Sequence, residues 1–262
     1  MLLQDKVVIV SGIGPGLGQE LSTLAAKEGA KAVVLAARTV EKLDTAEREI
    51  ADLGLGTLVL KVPTDISDVE QCKALADKTA SEFGQIDVLF NSAYDPGSFE
   101  PIETADLDGW RRAMDVNFFG TMQLTQACIP HMKNHGGSIV MIATMVEHKP
   151  LATQGGYGSS KSALRAATKH LALELGKYNI RVNSVHMGWM WGPAVEGYFA
   201  WQAQSTGKSQ EELIAEVTSS IPLGVIPDDA DCAKAAVFFG SEYSSVVTGA
   251  GLDVNGGEFM PI

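Results

Sequence analysis

Short apolar runs rich in β-branched residues recur along this chain, each separated from the next by a longer stretch with helical spacing. The runs are Val7–Val10, Ala32–Ala36, Thr57–Val62, Ile86–Phe90, Ser138–Ile142, Arg181–His186 and Leu252–Val254. The stretches between them include Gly16–Glu28, Val40–Leu53, Val69–Phe83, Asp106–Lys133 and Tyr157–Lys177. A strand that is apolar on both faces needs cover on both sides. A helix between two strands carries the chain back to the end where the previous strand began, so the strands run parallel. The pattern therefore predicts an α/β fold: a doubly wound parallel sheet of about seven strands with helices on both faces. A length of 262 residues suits one such domain. No repeat, low-complexity tract or Pro/Ser-rich linker divides it, and residues 1–262 are expected to form a single domain.

Composition narrows the partners. The net charge is −12 with no basic cluster, which argues against nucleic-acid binding. A nucleotide cofactor is still compatible, since helix N-termini and a few local cations can hold it. Cys72, Cys128 and Cys232 lie far apart in sequence and form no metal or redox spacing, as expected of buried thiols in a reducing cytoplasm. No apolar run approaches the ~20 residues of a membrane helix. The N-terminal stretch carries Asp5 and Lys6 where a signal peptide needs an apolar core. A soluble cytoplasmic protein is the expectation.

The rhythm breaks between about residues 189 and 223. That stretch has no strand, a cluster of aromatics, and a helical piece at Ser209–Ser220. It follows the sixth strand, at the sheet edge where ligands of open α/β sheets bind, and is expected to be a substrate lid.

The first strand leads into Ser11-Gly12-Ile13-Gly14-Pro15-Gly16-Leu17-Gly18 and then an amphipathic helix. Glycines allow the backbone to approach a pyrophosphate that also rests on the helix dipole. The spacing is Gly12-x-x-x-Gly16-x-Gly18, because Leu17 and Gln19 stand where Gly-x-Gly-x-x-Gly needs its last glycine. Nucleotide binding is expected at Gly12, Gly14, Gly16, Leu17 and Gly18. The second strand ends Ala36-Ala37-Arg38, with no acid for a ribose 2′-hydroxyl. Arg38 can instead pair with a 2′-phosphate, so NADP is expected over NAD, with NAD as the alternative.

Tyr157 and Lys161, four residues apart, lie one turn apart on a helix face. A phenol titrates near ~10 and a neighbouring cation favours its ionised form. The pair can exchange a proton with an alcohol or ketone oxygen. Such a spacing is common by chance and gains meaning only from the rest of the site.

Together these residues resemble the short-chain dehydrogenase/reductase family, and the likeness runs from Val7 to about Gly257. It implies a Rossmann-type fold and an NAD(P)-dependent oxidoreductase interconverting a secondary alcohol and a ketone by hydride transfer. In that resemblance Gly12, Gly16 and Gly18 form the cofactor turn, and Asp65, beside Ile66, meets the adenine. Asn91 and Ala93 match the family's Asn-Asn-Ala-Gly segment. Asn117 supports a water relay to Lys161, which holds the nicotinamide ribose and lowers the Tyr157 pKa. Thr144 stands at the place of the catalytic serine and keeps a hydroxyl, with a methyl that narrows the pocket. Gly188 follows Met187 where Pro-Gly is usual, and Asn255-Gly256-Gly257 is similar to the closing Asp-Gly-Gly. Tyr94 replaces a glycine.

Tyr94, Met145, Met187 and Trp191 are the expected substrate wall. If half of Trp189, Met190, Trp191, Tyr198, Phe199 and Trp201 face the cavity, the substrate is bulky and apolar, such as a sterol, terpenoid or cyclic alcohol. The alternatives are a 3-oxoacyl thioester reductase and a non-catalytic nucleotide-sensing protein. Enoyl reduction in related sequences places Tyr and Lys seven apart, and residue 164 is Leu. His131 and His135 lack a third ligand nearby in sequence, so no metal is expected; His148 and His186 lie closer to the site. The resemblance also implies a homo-oligomer, tetramer or dimer, through the helices near Asp106–Lys133 and Tyr157–Lys177.

Overall fold

The computed structural model describes residues 1–260. Every expected run forms a strand: β1 (Val7–Ser11), β2 (Ala32–Ala37), β3 (Leu58–Pro63), β4 (Val88–Asn91), β5 (Gly137–Thr144), β6 (Ile180–Met187) and β7 (Gly251–Val254). They make one seven-stranded sheet in the order β3-β2-β1-β4-β5-β6-β7. All neighbours are parallel.

The helices are α1 (Leu17–Lys27), α2 (Val40–Asp52), α3 (Val69–Phe83), α4 (Leu107–Met114), α5 (Thr121–Cys128), α6 (Gly155–Leu175), α7 (Pro193–Thr206), α8 (Gln210–Thr218) and α9 (Asp229–Gly240). Successive strand residues point to opposite faces. Val8, Val10, Val33, Leu35 and Phe90 pack in one core with residues of α1, α2 and α9. Ile9, Val34, Leu89, Ile139 and Met141 pack in the other with residues of α3, α5 and α6. This double cover explains why β1 and β4 are buried throughout. The three cysteines are buried free thiols. Desolvation pushes Cys72 up to about 11 and Cys232 up to about 12, which keeps them unreactive. Among the described residues no helix is long and apolar enough to cross a membrane.

Two stretches differ from expectation. The helix expected over Asp106–Lys133 is interrupted by a π-helical turn, Asp115–Gly120, and closes in a short 3₁₀ turn, Ile129–His131. A π-turn fits one extra residue into the helix and re-aims its side chains, here including Asn117. The insertion after β6 holds two helices where the sequence suggested one. Pro193 occupies the first turn of α7, where its missing N–H costs nothing. Ser209 and Glu212 form a capping box at the start of α8.

The insertion has a core of its own, built on buried Phe199, Leu213, Ile221 and Ile226. Trp189 and Trp191 stack on Phe199 at 5.8 and 6.1 Å between ring centroids. The Trp191 N–H donates to the Pro227 carbonyl at 2.7 Å, and the Asp229 N–H to the Trp191 carbonyl at 3.1 Å, tying the insertion to α9.

Phe199 is 1% exposed. Phe199→Ala should cost about 3–5 kcal/mol of local packing, borne by the insertion rather than the sheet. Limited proteolysis should then cut within residues 193–218 faster while the sheet core stays protected. Unchanged cleavage would show that this core does not hold the insertion.

Candidate active site

Parallel strands end at one edge, and the connections from β1 and β4 leave it in opposite directions. A crevice opens between them. One cavity of about 510 Å³ follows this edge. It begins at Arg38, Thr39 and Lys42 after β2 and passes the Gly12–Gly18 turn, Thr64–Ile66 and Ser92–Tyr94. It ends among Thr144, Tyr157, Lys161, Trp189 and Met190.

The glycine turn is packed backbone against backbone. Gly12 has φ +88°, and a Cβ there would lie 2.3 Å from the Ala93 nitrogen; one at Gly18 would lie 2.2 Å from the Gly12 oxygen. Gly16 is the N-cap of α1, and no side chain caps the helix. Its first N–H groups are therefore free for an anion. Gly14, Leu17, Asp65, Ile66, Ala93 and Gly188 all line the same cavity. Asp65 uses Oδ1 to accept from the Ser67 N–H and hydroxyl at 3.0 and 2.6 Å.

At the other end, α6 carries Tyr157 and Lys161 toward the end of β5. Lys161 is 2% exposed, and its ammonium donates to the Ile142 carbonyl at 2.6 Å. Burial pulls its pKa down to about 8, with the Glu147 carboxylate opposing. Tyr157 is half-buried, with its phenol oxygen desolvated. Burial pushes it up to about 12; the hydrogen bond with Thr144 pulls back, and Tyr94 and Glu147 add to the rise. The expected lowering of the phenol by Lys161 is thus not a property of the protein alone, where desolvation dominates. Thr144 is buried opposite Met187 in the β5–β6 register, and its hydroxyl accepts from the Val146 N–H at 3.3 Å.

Three expected site residues lie elsewhere. Asn91 is buried behind the cavity, and its amide donates to Thr125 Oγ1 at 3.1 Å, because β4 turns this side chain into the helix-covered face. Asn117 is fully buried in the π-turn. It accepts from the Asp95 N–H at 2.7 Å and donates to the Asp95 carbonyl at 2.8 Å and to Ser160 Oγ at 2.9 Å. It braces the Tyr94–Asp95 loop against α6, and its neighbour Val116 lines the cavity. Trp191 belongs to the insertion core; of the six residues in that cluster, only Trp189 and Met190 line the cavity. Tyr94, Met145 and Met187 do line it, joined by Leu151, Gln154 and Val195.

Sequence reasoning missed Lys42 and Asp229. Lys42 stands in the first turn of α2, four residues after Arg38, and a second cation so near the end of β2 was a usable signal. Asp229 lines the cavity from the start of α9, held there by the bridge to Trp191, and had no local signal. His131 pairs with Asp77 at 2.8 Å and His135 with the Ile86 carbonyl at 3.1 Å, so they do not converge. His148 and His186 meet Glu147 behind Met145 and Val146, outside the cavity.

A family model described as Enoyl-(Acyl carrier protein) reductase matches residues 12–258. The chain is 31% identical over 259 residues to a trans-4-hydroxycyclohexanecarboxylate dehydrogenase of Sinomonas cyclohexanicum, covering 97% of this chain and 93% of that protein. Its fold is similar to that of L-sorbose reductase from Gluconobacter frateurii, solved with NADPH and L-sorbose: TM-score 0.93, 29% identity, covering 100% and 99% of the two chains. It is also similar to NAD⁺-bound xylitol dehydrogenase, with TM-score 0.90, 28% identity, and 97% and 99% covered.

Folding moves Lys161 from 10.5 to about 8, a difference of roughly 3 kcal/mol against the ammonium. Lys161→Met should therefore raise the stability of the cofactor-free protein at neutral pH by about 1–2 kcal/mol after loss of the Ile142 hydrogen bond. The folded value lies below the unfolded one, so the unfolded chain binds the extra proton and native stability rises with pH from about pH 8 upward. Urea midpoints compared between about pH 8 and 9.5, below the tyrosine range, should show a rise in the native protein that is missing in Lys161→Met. A variant less stable than the native protein would contradict this.

Proposed function

The chain belongs to the short-chain dehydrogenase/reductase family, and from that premise we propose that it interconverts a secondary alcohol and a ketone on a bulky apolar substrate, with NADP as the preferred cofactor. The observation that carries this reading is the convergence of the Thr144 hydroxyl, the Tyr157 phenol and the Lys161 ammonium at one end of a cleft whose other end is an uncapped glycine turn.

The bound nicotinamide supplies or accepts the hydride, and the remaining tasks fall to the protein. In ketone reduction the Tyr157 phenol gives its proton to the developing alkoxide, while Thr144 Oγ1 holds the same oxygen. In the reverse direction Tyr157 must first be ionised. A phenol pushed up to about 12 is a donor at neutral pH, and the Lys161 charge stabilises the phenolate left after transfer. Asn117 acts at one remove, by fixing the loop that carries Tyr94. The matched family model is named for enoyl reduction, but Leu164, at the spacing that chemistry needs, is buried in the core.

NADP is favoured by the end of the cleft near β2. Arg38 and Lys42 both line it, and Thr39 leaves the N-terminus of α2 without a side-chain cap. Two cations and free N–H groups suit a 2′-phosphate. Relatives solved with NAD⁺ and with NADPH share the fold, so the choice rests on these residues.

The substrate end supports an apolar ligand. Tyr94 stands edge-on to Tyr157 at 6.3 Å, and Met145, Leu151, Met187, Trp189, Met190 and Val195 complete the wall. Among the described residues Lys161 is the only cation at that end. A cyclic alcohol fits, as does the relative named for a hydroxycyclohexane acid. Homo-oligomerisation through α4 to α6 is part of the proposal, supported by the exposure of Phe119 and Leu173.

The test is cofactor absorbance with NADPH and NADH against ketones graded by size. NADPH should be preferred by about 10-fold or more, and Arg38→Ala should remove most of that preference. Tyr157→Phe should abolish turnover with cofactor still bound. Thr144→Ala should lose about 10²-fold while Thr144→Ser stays active. Equal or tighter binding of NADH overturns the cofactor assignment, and faster turnover of small polar substrates overturns the substrate class.

A further inference from the structure

Behind the substrate wall, outside the cleft, three donor groups converge. Glu147 and His148 follow β5 directly, and His186 lies near the end of β6, opposite Ala143 in the register. One ligand atom from each lies within 4.8 Å of the others. The Glu147 side chain is fully buried, yet neither carboxylate oxygen has a hydrogen-bond partner. His186 is 3% exposed and its Nδ1, in direct contact with Glu147 Oε1, likewise has none. His148 Nε2 stands 3.7 Å from Glu147 Oε1, and Arg165 Nε 3.8 Å from Oε2, both beyond a hydrogen bond.

The two ring nitrogens of His186 have different neighbours. Its Nε2 lies 2.9 Å from Ser184 Oγ, which itself donates to the Ala250 carbonyl at 3.4 Å. Ser184 thus occupies Nε2, and Nδ1 is the His186 nitrogen that stands against Glu147 Oε1. Gly251 makes room for the ring, since a Cβ there would lie 2.5 Å from His186 Nε2. His148 stacks on Phe259 at 5.4 Å with an interplanar angle of 10°, which holds its ring toward the cluster. Oε1 thus faces two imidazoles and Oε2 faces Arg165.

We propose that Glu147, His148 and His186 form a binding site for one zinc-class divalent ion, with a further position open toward the partly exposed side of His148. Two imidazoles and a carboxylate are a zinc-type donor set, whereas Mg²⁺ and Ca²⁺ demand oxygen ligands. The ion would part the Glu147 Oε1–His186 Nδ1 contact and take both atoms, with His148 Nε2, as ligands. It ties the chain after β5 to the end of β6, the two segments whose Met145 and Met187 line the substrate end. The site does not depend on the proposed cofactor or substrate.

The test uses the full chain without a histidine tag, stripped with chelator and dialysed against ZnCl₂, CoCl₂ or MgCl₂. Elemental analysis should find about one Zn²⁺ or Co²⁺ per chain and no Mg²⁺, and Co²⁺ should give a visible absorption band of low-coordinate N/O type. Zn²⁺ should raise the melting temperature. His148→Gln, at the partly exposed position, and Glu147→Gln should each weaken Zn²⁺ binding by about 10²-fold or more, while His131→Gln should bind as the native chain does. Melting curves of the stripped variants establish that they are folded. Absence of retained Zn²⁺ in the native chain overturns the proposal and leaves Glu147–His186 as a buried ion pair. Equal retention in His148→Gln overturns it by placing the ion elsewhere.

Discussion

Parallel pairing of every strand is the constraint on which the rest of this structure depends. Because each crossover returns the chain to the same starting end, all strands finish at one edge, and the segments after β1, β2, β4, β5 and β6 gather there. The order reverses between β1 and β4, so the crevice lies beside Gly12 on one side and Ala93 on the other. A glycine at 12 is needed for the same reason: the two strand ends approach so closely that a Cβ would meet backbone. The Gly12–Gly18 turn, Tyr157 and the wall of Met145 and Met187 are close to one another because the sheet brings them all to this edge.

What the edge gains in convergence it loses in solvation. Lys161 is drawn almost wholly out of water and its ammonium made costly, while the Tyr157 phenol is held protonated. Neither shift helps the protein fold. Both follow from burial at the closed end of the cleft, which keeps the phenol protonated and disfavours the ammonium one helical turn away. Among the groups around the phenol, the Thr144 hydroxyl is the one that opposes its rise.

The fold was legible in the sequence because burial on both faces leaves a mark at every strand position. The glycine turn, Arg38, Asp65, Thr144, Tyr157 and Lys161 were legible because each sits at a fixed offset from a strand end or on one helix face, and all of them line the cleft. The expected residues that lie off the cleft share a physical origin. Asn91 and Asn117 look identical in sequence whether they face a ligand or brace a loop, and only the direction of β4 and the π-turn decides. Trp191 and Phe199 could have lined the cavity; instead the insertion needed a core of its own, and the aromatics supplied it. Glu147 and His186 are separated by the whole of α6, and no local spacing signals that the β5–β6 register brings them together.

That register also bears on how the substrate is selected. Relatives of this fold are named for L-sorbose, xylitol and a hydroxycyclohexane acid, so the sheet itself chooses nothing. The wall is made by Met145, which follows β5, and Met187, at the end of β6, and both are nearly buried. Methionines adapt their shape readily, so the wall's position depends on what holds the backbone behind it. In front is the Thr144–Met187 pairing; behind is the cluster of Glu147, His148 and His186. A change behind the wall acts on Met145 and Met187, because their segments meet there, whereas a change in the insertion acts on Trp189, Met190 and Val195. The size of the cavity is therefore set from two independent sides, one anchored in the sheet and one in the small core around Phe199.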